Sequence, residues 1–233
     1  MNELPFYLDD VISLLYPPIC ITCGERLNSQ EKYVCWNCWS DLPVSRFRND
    51  GDNKVAQLFW GRVRIEKVTS FYKYHKGSRY QKLIYFIKYK GLKELGREMG
   101  VRFGHSLAED MIFNDIDLIV PVPLHLRKLK KRGFNQSEWI ANGIAFVLQK
   151  PVVADNLLRE VHTATQTRKG RFERWQNVEG IFCIKDPSVF EGRHVLLIDD
   201  VVTTGSTLEA CAIELLRIKN TKVSIATLAF AEL

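Results

Sequence analysis

The most informative segment of this 233-residue chain is Val195–Thr207, VLLIDDVVTTGST. It begins with apolar β-formers, passes through the adjacent carboxylates Asp199 and Asp200, and enters a short turn rich in hydroxyl groups. A helix with apolar periodicity is predicted directly after the turn, over 206–218. A buried strand that leads through a turn into a helix is typical of α/β proteins, whose ligands lie at the carboxyl ends of the strands.

The turn has the composition of a phosphate-binding loop. Backbone N–H groups at a helix start lack intrahelical partners, and the helix dipole favours an anion there. Carboxylates are poor phosphate ligands but good acceptors for sugar hydroxyls. We therefore predict a ribose 5-phosphate site in which Asp199 and Asp200 accept hydrogen bonds from the 2′- and 3′-hydroxyls. The predicted phosphate-binding residues are Thr203, Thr204, Gly205, Ser206 and Thr207.

Two other interpretations of this turn account for it less well. Ser and Thr are common N-caps, so the turn could simply begin a capped helix. A cap alone does not account for two carboxylates followed by a run of small and hydroxylated residues. A Walker A loop is excluded because the sequence contains no GxxxxGK[ST] motif.

Strand-like and helix-like segments alternate along much of the chain. Apolar spacing predicts helices over 79–89, 92–111 and 136–149, and strands over 63–74, 117–122, 178–184, 194–198 and 222–230. This alternation predicts an α/β fold with a parallel sheet flanked by helices. The polar stretch 43–54 is typical of a linker, so we expect two domains, 1–45 and 46–233.

The amino-terminal unit is predicted to be a small zinc-binding domain. Four of the six cysteines form two CxxC pairs, Cys20 with Cys23 and Cys35 with Cys38. Four thiolates suit a tetrahedral, structural Zn²⁺, although the pairs could instead form disulfides. A unit of this size has too small a core to fold alone, and metal binding could supply the missing stability. Cys183 and Cys211, in apolar segments, are expected to be buried small hydrophobic residues.

Two basic segments flank the predicted strands. The first follows the strand 117–122 and contains Arg127, Lys128, Lys130, Lys131 and Arg132. The second is the polar stretch 159–177, which contains Arg168, Lys169, Arg171 and Arg174. Each could be a solvated basic surface, could attract pyrophosphate, or could bind single-stranded nucleic acid.

The overall composition is that of a soluble globular protein. Hydrophobic residues make up 46% and charged residues 26%, and the formal net charge is +6. No apolar run approaches the ~18 residues of a membrane span, so no membrane insertion is expected. Acidic residues interrupt the first twenty positions, which argues against a secretory signal and predicts a cytoplasmic protein.

Taken together, these motifs resemble the ComF family. The resemblance rests on CxxC…CxxC preceded by YPP, KYKG (Lys88–Gly91), PVPL…RGFNQ (Pro121–Gln136), the segment Thr163–Phe182 and IDDVVTTGST (Ile198–Thr207). It implies a small zinc domain with four cysteine ligands, joined to a type I phosphoribosyltransferase domain that binds 5-phosphoribosyl 1-diphosphate (PRPP) with Mg²⁺.

The resemblance also implies roles for particular residues. Pro123, Leu124 and His125 would form the loop that holds the pyrophosphate. Arg168 and Lys169 would act with the acid pair in catalysis, on a loop that closes beside the departing pyrophosphate.

Members of this family are linked to DNA uptake in natural competence, often beside a helicase. Two functions therefore stay open at this point. The chain could be a phosphoribosyltransferase, or a non-catalytic adaptor that keeps the fold and binds single-stranded DNA or docks on a helicase.

Overall fold

The centre of the fold is a sheet of four parallel strands. The computed structural model describes residues 17–45, 53–109, 113–159 and 181–232. The strands within these ranges are β1 (Val68–His75), β2 (Leu118–Pro121), β3 (Leu157–Arg159), β4 (Phe182–Ile184), β5 (His194–Val202) and β6 (Lys222–Glu232). The sheet has the order β1-β6-β5-β2 with all pairs parallel, and β3 and β4 form a separate antiparallel pair.

Helices cover both faces of this sheet, as predicted. They are α1 (Trp36–Ser40), α2 (Lys54–Gln57), α3 (Gln81–Tyr89), α4 (Lys93–Glu109), α5 (Leu126–Arg132), α6 (Gln136–Leu148) and α7 (Ser206–Leu216). Because strand side chains alternate between faces, Leu196 and Ile198 of β5 pack with α3, α4 and α6. Val195 and Leu197 pack on the opposite face with α7 and the β3–β4 pair.

Small residues bring α4 and α6 into close contact. A Cβ atom added to Gly143 would lie 2.2 Å from the Arg97 carbonyl oxygen, and one added to Gly100 would lie 2.3 Å from the Ile140 carbonyl oxygen. Only glycine permits this approach of the two backbones. The contact fixes α6, and the first turn of α6 reaches the carboxyl-terminal part of β5, where Ser137 contacts Asp199.

The zinc-binding unit packs on the α3–α4 face of the sheet. The buried residues Cys20, Cys35 and Cys38 belong to the same hydrophobic cluster as Phe71 and Tyr80. Polar contacts reinforce this packing. Arg79 pairs with Asp41 at 3.0 Å, and the Lys82 ammonium donates to the Thr22 carbonyl at 3.2 Å.

Most predicted elements are present, with three differences. The strand predicted to end at 198 continues to Val202, because Asp199 and Val201 keep their ladder positions opposite Thr227 and Ala229. The strand predicted from 63 begins at Val68, since 58–62 form turns and 63–67 are irregular, although the Glu66 N–H donates to the Val223 carbonyl at 2.9 Å. In the predicted linker, Val44 forms a bridge with Tyr72, whereas 46–52 lie outside the described residues.

Other predicted bounds shift by a few residues at most. The predicted helix 92–111 is described as Lys93–Glu109, with 110–112 outside the described ranges. The predicted strand 178–184 is described only as Phe182–Ile184. Helices α1, α2 and α5 and strand β3 were not predicted. The domain boundary near residue 45 stays a prediction.

Candidate functional site

The predicted phosphate loop lies where β5 ends and α7 begins. Gly205 is the N-cap of α7 and has φ +77°, a left-handed conformation that favours glycine. A Cβ atom added to it would lie 3.1 Å from ring atoms of Phe59. Glycine is therefore required here both by the backbone conformation and by the close packing of the turn that contains Phe59.

The loop surrounds a small cavity. Asp199 and residues 201–208 line it, and its volume is about 50 Å³. One water needs only about 10–15 Å³, so the cavity has room for a larger polar group. The Thr204 and Ser206 hydroxyls lie 3.2 Å apart at its rim. With the amino terminus of α7 facing this space, the site suits a tetrahedral anion.

Arg62 holds the loop in place from outside. Its guanidinium donates to the Leu58 carbonyl at 2.8 Å and to the Thr204 carbonyl at 3.3 Å. It also forms an ion pair with Glu209 in the first turn of α7. These contacts connect the turn after α2 to Thr204 in the loop and to Glu209 in the helix that follows it. They make Arg62 a support of the site that the sequence analysis did not identify.

The two adjacent acids occupy different environments because successive residues of a strand face opposite sides. Asp199 lines the cavity, where its Oδ1 accepts from the Ser137 hydroxyl at 2.9 Å and from the Asp200 backbone N–H at 2.8 Å. Asp200 is buried on the other side, and its Oδ1 lies 2.8 Å from the Lys88 ammonium. Burial, together with the neighbouring charge of Asp200, raises the pKa of Asp199 to about 7.

The predicted pyrophosphate loop follows the neighbouring strand. Pro121, the last residue of β2, pairs with Ile198 of β5, so Pro123, Leu124 and His125 leave the sheet beside the acid pair. His125 is the N-cap of α5, and its Nδ1 accepts from the Arg127 N–H at 3.1 Å. The sheet therefore brings this segment and the phosphate loop to the same edge.

The RGFNQ motif forms the connection between α5 and α6. Gly133 ends α5 in the left-handed conformation, and its N–H bonds the Leu129 carbonyl at 2.7 Å. Asn135 caps α6 through the Ser137 N–H and also donates to the Val122 carbonyl at 3.1 Å. The motif thereby positions Ser137 against Asp199.

The predicted basic residues separate into two groups. Arg127, Lys128, Lys130 and Lys131 are exposed on α5, whereas Arg132 contacts Gln136 and lies 5.7 Å from the Tyr89 ring. Arg168, Lys169, Arg171 and Arg174 lie outside the described residues, so their roles stay predictions.

Two tyrosines missed by the sequence analysis lie beside α5. Tyr85 and Tyr89 on α3 are 46% and 68% exposed, with ring centroids 5.5 Å apart. Their spacing of four residues on a predicted helix could have identified them as neighbours.

The four paired cysteines form a second site. Their sulfur atoms all lie within 4.8 Å of one another, and the Cys23 and Cys35 sulfurs are 3.7 Å apart. Tetrahedral Zn²⁺ with bonds near 2.3 Å implies sulfur separations of about 3.8 Å. No disulfide is formed among the described residues, and the arrangement of these four cysteines fits a structural zinc ion.

The remaining cysteines are only partly as predicted, and two tryptophans flank the metal ligand Cys38. Cys211 is fully buried, as expected, but Cys183 is only partly buried. Trp39 packs against the core and has the Arg102 guanidinium 3.9 Å from its ring centroid. Trp36 is 55% exposed, so only one of these tryptophans packs closely.

Comparison with known families agrees with both sites. Residues 100–232 match the phosphoribosyl transferase domain family, and residues 11–48 match the double zinc ribbon domain. The first match covers more than half of the chain, which therefore belongs to the phosphoribosyl transferase domain family.

Individual relatives narrow this class further. DNA utilization protein YhgH of Escherichia coli is 39% identical over 101 residues, which cover 43% of this chain and 44% of that protein. Competence protein F of Haemophilus influenzae is 36% identical over 93 residues, covering 40% and 41%. The match thus spans less than half the length of these two relatives.

A third relative aligns over most of the chain. Competence protein ComFC of Bacillus subtilis is 26% identical over 199 residues, which cover 83% of this chain and 76% of that protein. These relatives confirm the resemblance to the ComF family. Within the described ranges, every helix is too short or too polar to span a bilayer. The cytoplasmic location stays a prediction.

Proposed function

We propose that the chain binds PRPP, or another 5-phosphoribosyl ligand, at the carboxyl ends of β5 and β2. The observation that carries this proposal is the cavity bounded by Asp199, the hydroxyl-rich loop and the start of α7. The 5-phosphate would accept hydrogen bonds from the loop, and Asp199 would accept from a ribose hydroxyl. The pyrophosphate would extend towards Pro123–His125, and Mg²⁺ would be bound by the pyrophosphate oxygens.

Such binding would serve transfer of the phosphoribosyl group. A nitrogen nucleophile would attack C1 of the ribose, and the bond from C1 to the pyrophosphate oxygen would break, with pyrophosphate keeping the electron pair. Fixed cations near the leaving group would stabilise the developing negative charge. Arg168 and Lys169 are the proposed source of that charge, on the loop that would close over the ligand.

Calorimetric titration tests the binding proposal directly. We expect PRPP with Mg²⁺ and ribose 5-phosphate to bind, whereas ribose without phosphate should not bind measurably. Thr203→Val, Thr204→Val and Thr207→Val, combined, should weaken both phosphorylated ligands by about tenfold or more, since each removes a hydroxyl donor. Thr69→Val, on β1, is the matched control. Absence of PRPP binding in the zinc-loaded wild type would refute the proposal.

Pyrophosphate release reports whether transfer accompanies binding. PRPP and Mg²⁺ would be incubated with purine and pyrimidine bases and with amines, and released pyrophosphate measured for each. If PRPP binds but no acceptor leads to pyrophosphate release, the chain binds the phosphoribosyl group without transferring it.

A second candidate function is binding of single-stranded DNA beside this site. The observation that favours it is the combination of four exposed cations on α5 with the exposed rings of Tyr85 and Tyr89. Cations that follow a phosphate backbone next to aromatic rings that stack on bases are typical of single-strand binding surfaces. Two relatives are named competence proteins and a third is named a DNA utilization protein, which supports a candidate function that involves DNA.

Charge reversal separates this surface from the rest of the molecule. Lys128→Glu, Lys130→Glu and Lys131→Glu, combined, should abolish salt-sensitive binding of a labelled oligonucleotide. The control reverses the exposed residues Lys185, Lys219 and Lys222, which changes the net charge equally. Equal loss in both triple variants would show a nonspecific effect of charge and exclude a defined α5 surface. Docking on a competence helicase stays a prediction.

A further inference from the structure

Lys88 connects α3 to the acid pair of β5. Its Nζ lies 2.8 Å from Oδ1 of Asp200, and the two side chains are only 22% and 5% exposed. A buried carboxylate is costly unless a cation lies nearby, because desolvation penalises the charged form. The Lys88 ammonium supplies that cation for Asp200. The pair also raises the pKa of Lys88 above its ordinary value, against the opposing effect of burial.

Within the part of the chain that the structure describes, the other groups that act on Asp200 carry no positive charge. Strand β1 contributes Tyr72 and Tyr74, and burial raises the pKa of both, so they are neutral phenols at pH 7. Strand β5 contributes Asp199, a second acid. The Oδ2 atom of Asp200 is buried and has no hydrogen-bond partner among the described residues. Lys88 is therefore the cation that balances this buried cluster.

Asp199 responds to both members of this ion pair. Burial and the charge of Asp200 raise the pKa of Asp199. The charge of Lys88 and the hydrogen bonds that Asp199 accepts lower it, but only in part. A protonated carboxyl group would be a poorer acceptor for a sugar hydroxyl than an ionised one.

We propose that Lys88 is a positioning residue of the phosphoribosyl site. Its ammonium offsets the charge of Asp200 behind the strand, so that Asp199 faces the sugar as the ionised acceptor. The inference rests on the proposed function for its ligand, and it divides the roles of two acids that the sequence treats as equivalent. Lys88 is the first residue of the KYKG motif, so this role would explain why a lysine stands there.

Opposite shifts in one titration test the inference without any ligand. Carbon-13 NMR of labelled aspartate side chains, with Asp199 assigned through Asp199→Asn, gives the midpoint of its titration in the zinc-loaded chain. Lys88→Met removes the cation and should move the midpoint up by about one pH unit. Asp200→Asn removes the neighbouring anion and should move it down by about one unit or more. Lys88→Arg should keep the wild-type midpoint.

Lys90→Met is the matched control, because Lys90 is exposed at the end of the same helix. It changes the net charge as Lys88→Met does. An Asp199 midpoint that is unchanged in Lys88→Met, or shifted equally in Lys90→Met, would overturn the inference.

Ligand binding distinguishes this inference from the proposed function. At pH 7 Lys88→Met should bind ribose 5-phosphate about fivefold more weakly than wild type, with most of the loss recovered at pH 8.5, whereas affinity for inorganic phosphate should be unchanged. Equal losses for ribose 5-phosphate and inorganic phosphate would refute a role through the acids. If the midpoints shift as expected but wild type binds neither PRPP nor ribose 5-phosphate, the proposed function fails and only the coupling between Lys88 and the acids remains.

Discussion

Replacing Asp199 with asparagine should stabilise the folded chain at neutral and alkaline pH. The amide oxygen of the new side chain can accept the same hydrogen bonds from the Ser137 hydroxyl and the Asp200 N–H. It carries no charge, so the desolvation and the repulsion from Asp200 both disappear. A residue that serves a ligand at the expense of stability is expected to behave in this way.

The size of the effect follows from the raised pKa of Asp199. Folding moves this pKa from 3.8 to about 7. One pKa unit is worth about 1.36 kcal/mol, so the ionised carboxylate destabilises the fold by up to about 4 kcal/mol. Contact of the loop with solvent reduces this to roughly 2 kcal/mol as a working expectation.

The direction of this pKa shift determines the pH range in which the stability difference appears. Between these two pKa values the folded chain keeps a proton that the unfolded chain has lost, so the stability of wild type falls as pH rises. The advantage of Asp199→Asn should therefore be absent near pH 4 and complete above about pH 7, since the wild-type penalty is then fully present.

Urea unfolding followed by tryptophan fluorescence measures the difference at pH 5, 6, 7 and 8. Any loss of metal at acid pH affects both chains and cancels in the comparison. Asp155→Asn, at an exposed position, should show no such pH trend. An Asp199→Asn variant that is less stable than wild type at pH 8, or equally stabilised at every pH, would show that the Asp199 charge does not destabilise the fold.

Three further predictions concern the zinc site and two glycines. Cys35→Ser should abolish binding of one zinc ion per chain and lower the melting temperature sharply, whereas Cys183→Ser should retain the ion; metal content and thermal unfolding measure both. Retention of zinc by Cys35→Ser would contradict the assignment of four cysteine ligands. Gly205→Ala should destabilise by about 1–2 kcal/mol through its positive φ and weaken ribose 5-phosphate binding, as calorimetry would show; unchanged affinity would remove this glycine from the site. Gly143→Ala should cost about 1–3 kcal/mol or more in urea unfolding because the new methyl meets backbone, but Gly96→Ala, with its nearest neighbour at 3.5 Å, should be neutral or slightly stabilising; similar effects for the two would contradict the packing argument.

The sequence was sufficient for the elements whose signals are local. Buried β-branched and aliphatic runs identified β2, β5 and β6, and the hydroxyl-rich turn identified the start of α7. The predicted strand ends too early, at residue 198, because the two aspartates that follow have a low propensity for strands. The parallel neighbour β6 extends past this point and supplies the ladder partners that keep Asp199 and Asp200 in the strand.

Helix α5 could not be predicted from the sequence, for a different reason. None of its residues is buried, so it has no apolar face that a periodicity argument could detect. Its start is set by the His125 side chain and its end by Gly133, two capping contacts that a basic run by itself does not reveal.

The site partners could not be predicted because they are long-range. Ser137 reaches Asp199 from α6, and Lys88 reaches Asp200 from α3, and neither pair has a local sequence signature. Motif reasoning identified the acids and the loop, but only the folded sheet separates the acids onto opposite faces. The distinction between a ligand-facing acid and an ion-paired acid is therefore a property of the fold.

Helix α3 links the two sites physically. At its amino-terminal end, Arg79 and Lys82 contact the zinc-binding unit, and at its carboxyl-terminal end Lys88 contacts Asp200. A helix of nine residues is about 13 Å long, so the metal unit and the acid pair lie at the two ends of one short rigid element. Because the buried cysteines share a hydrophobic cluster with this helix, we expect loss of zinc to disturb the position of Lys88. The metal unit would then act on the proposed phosphoribosyl site through packing alone, without contributing a ligand to it.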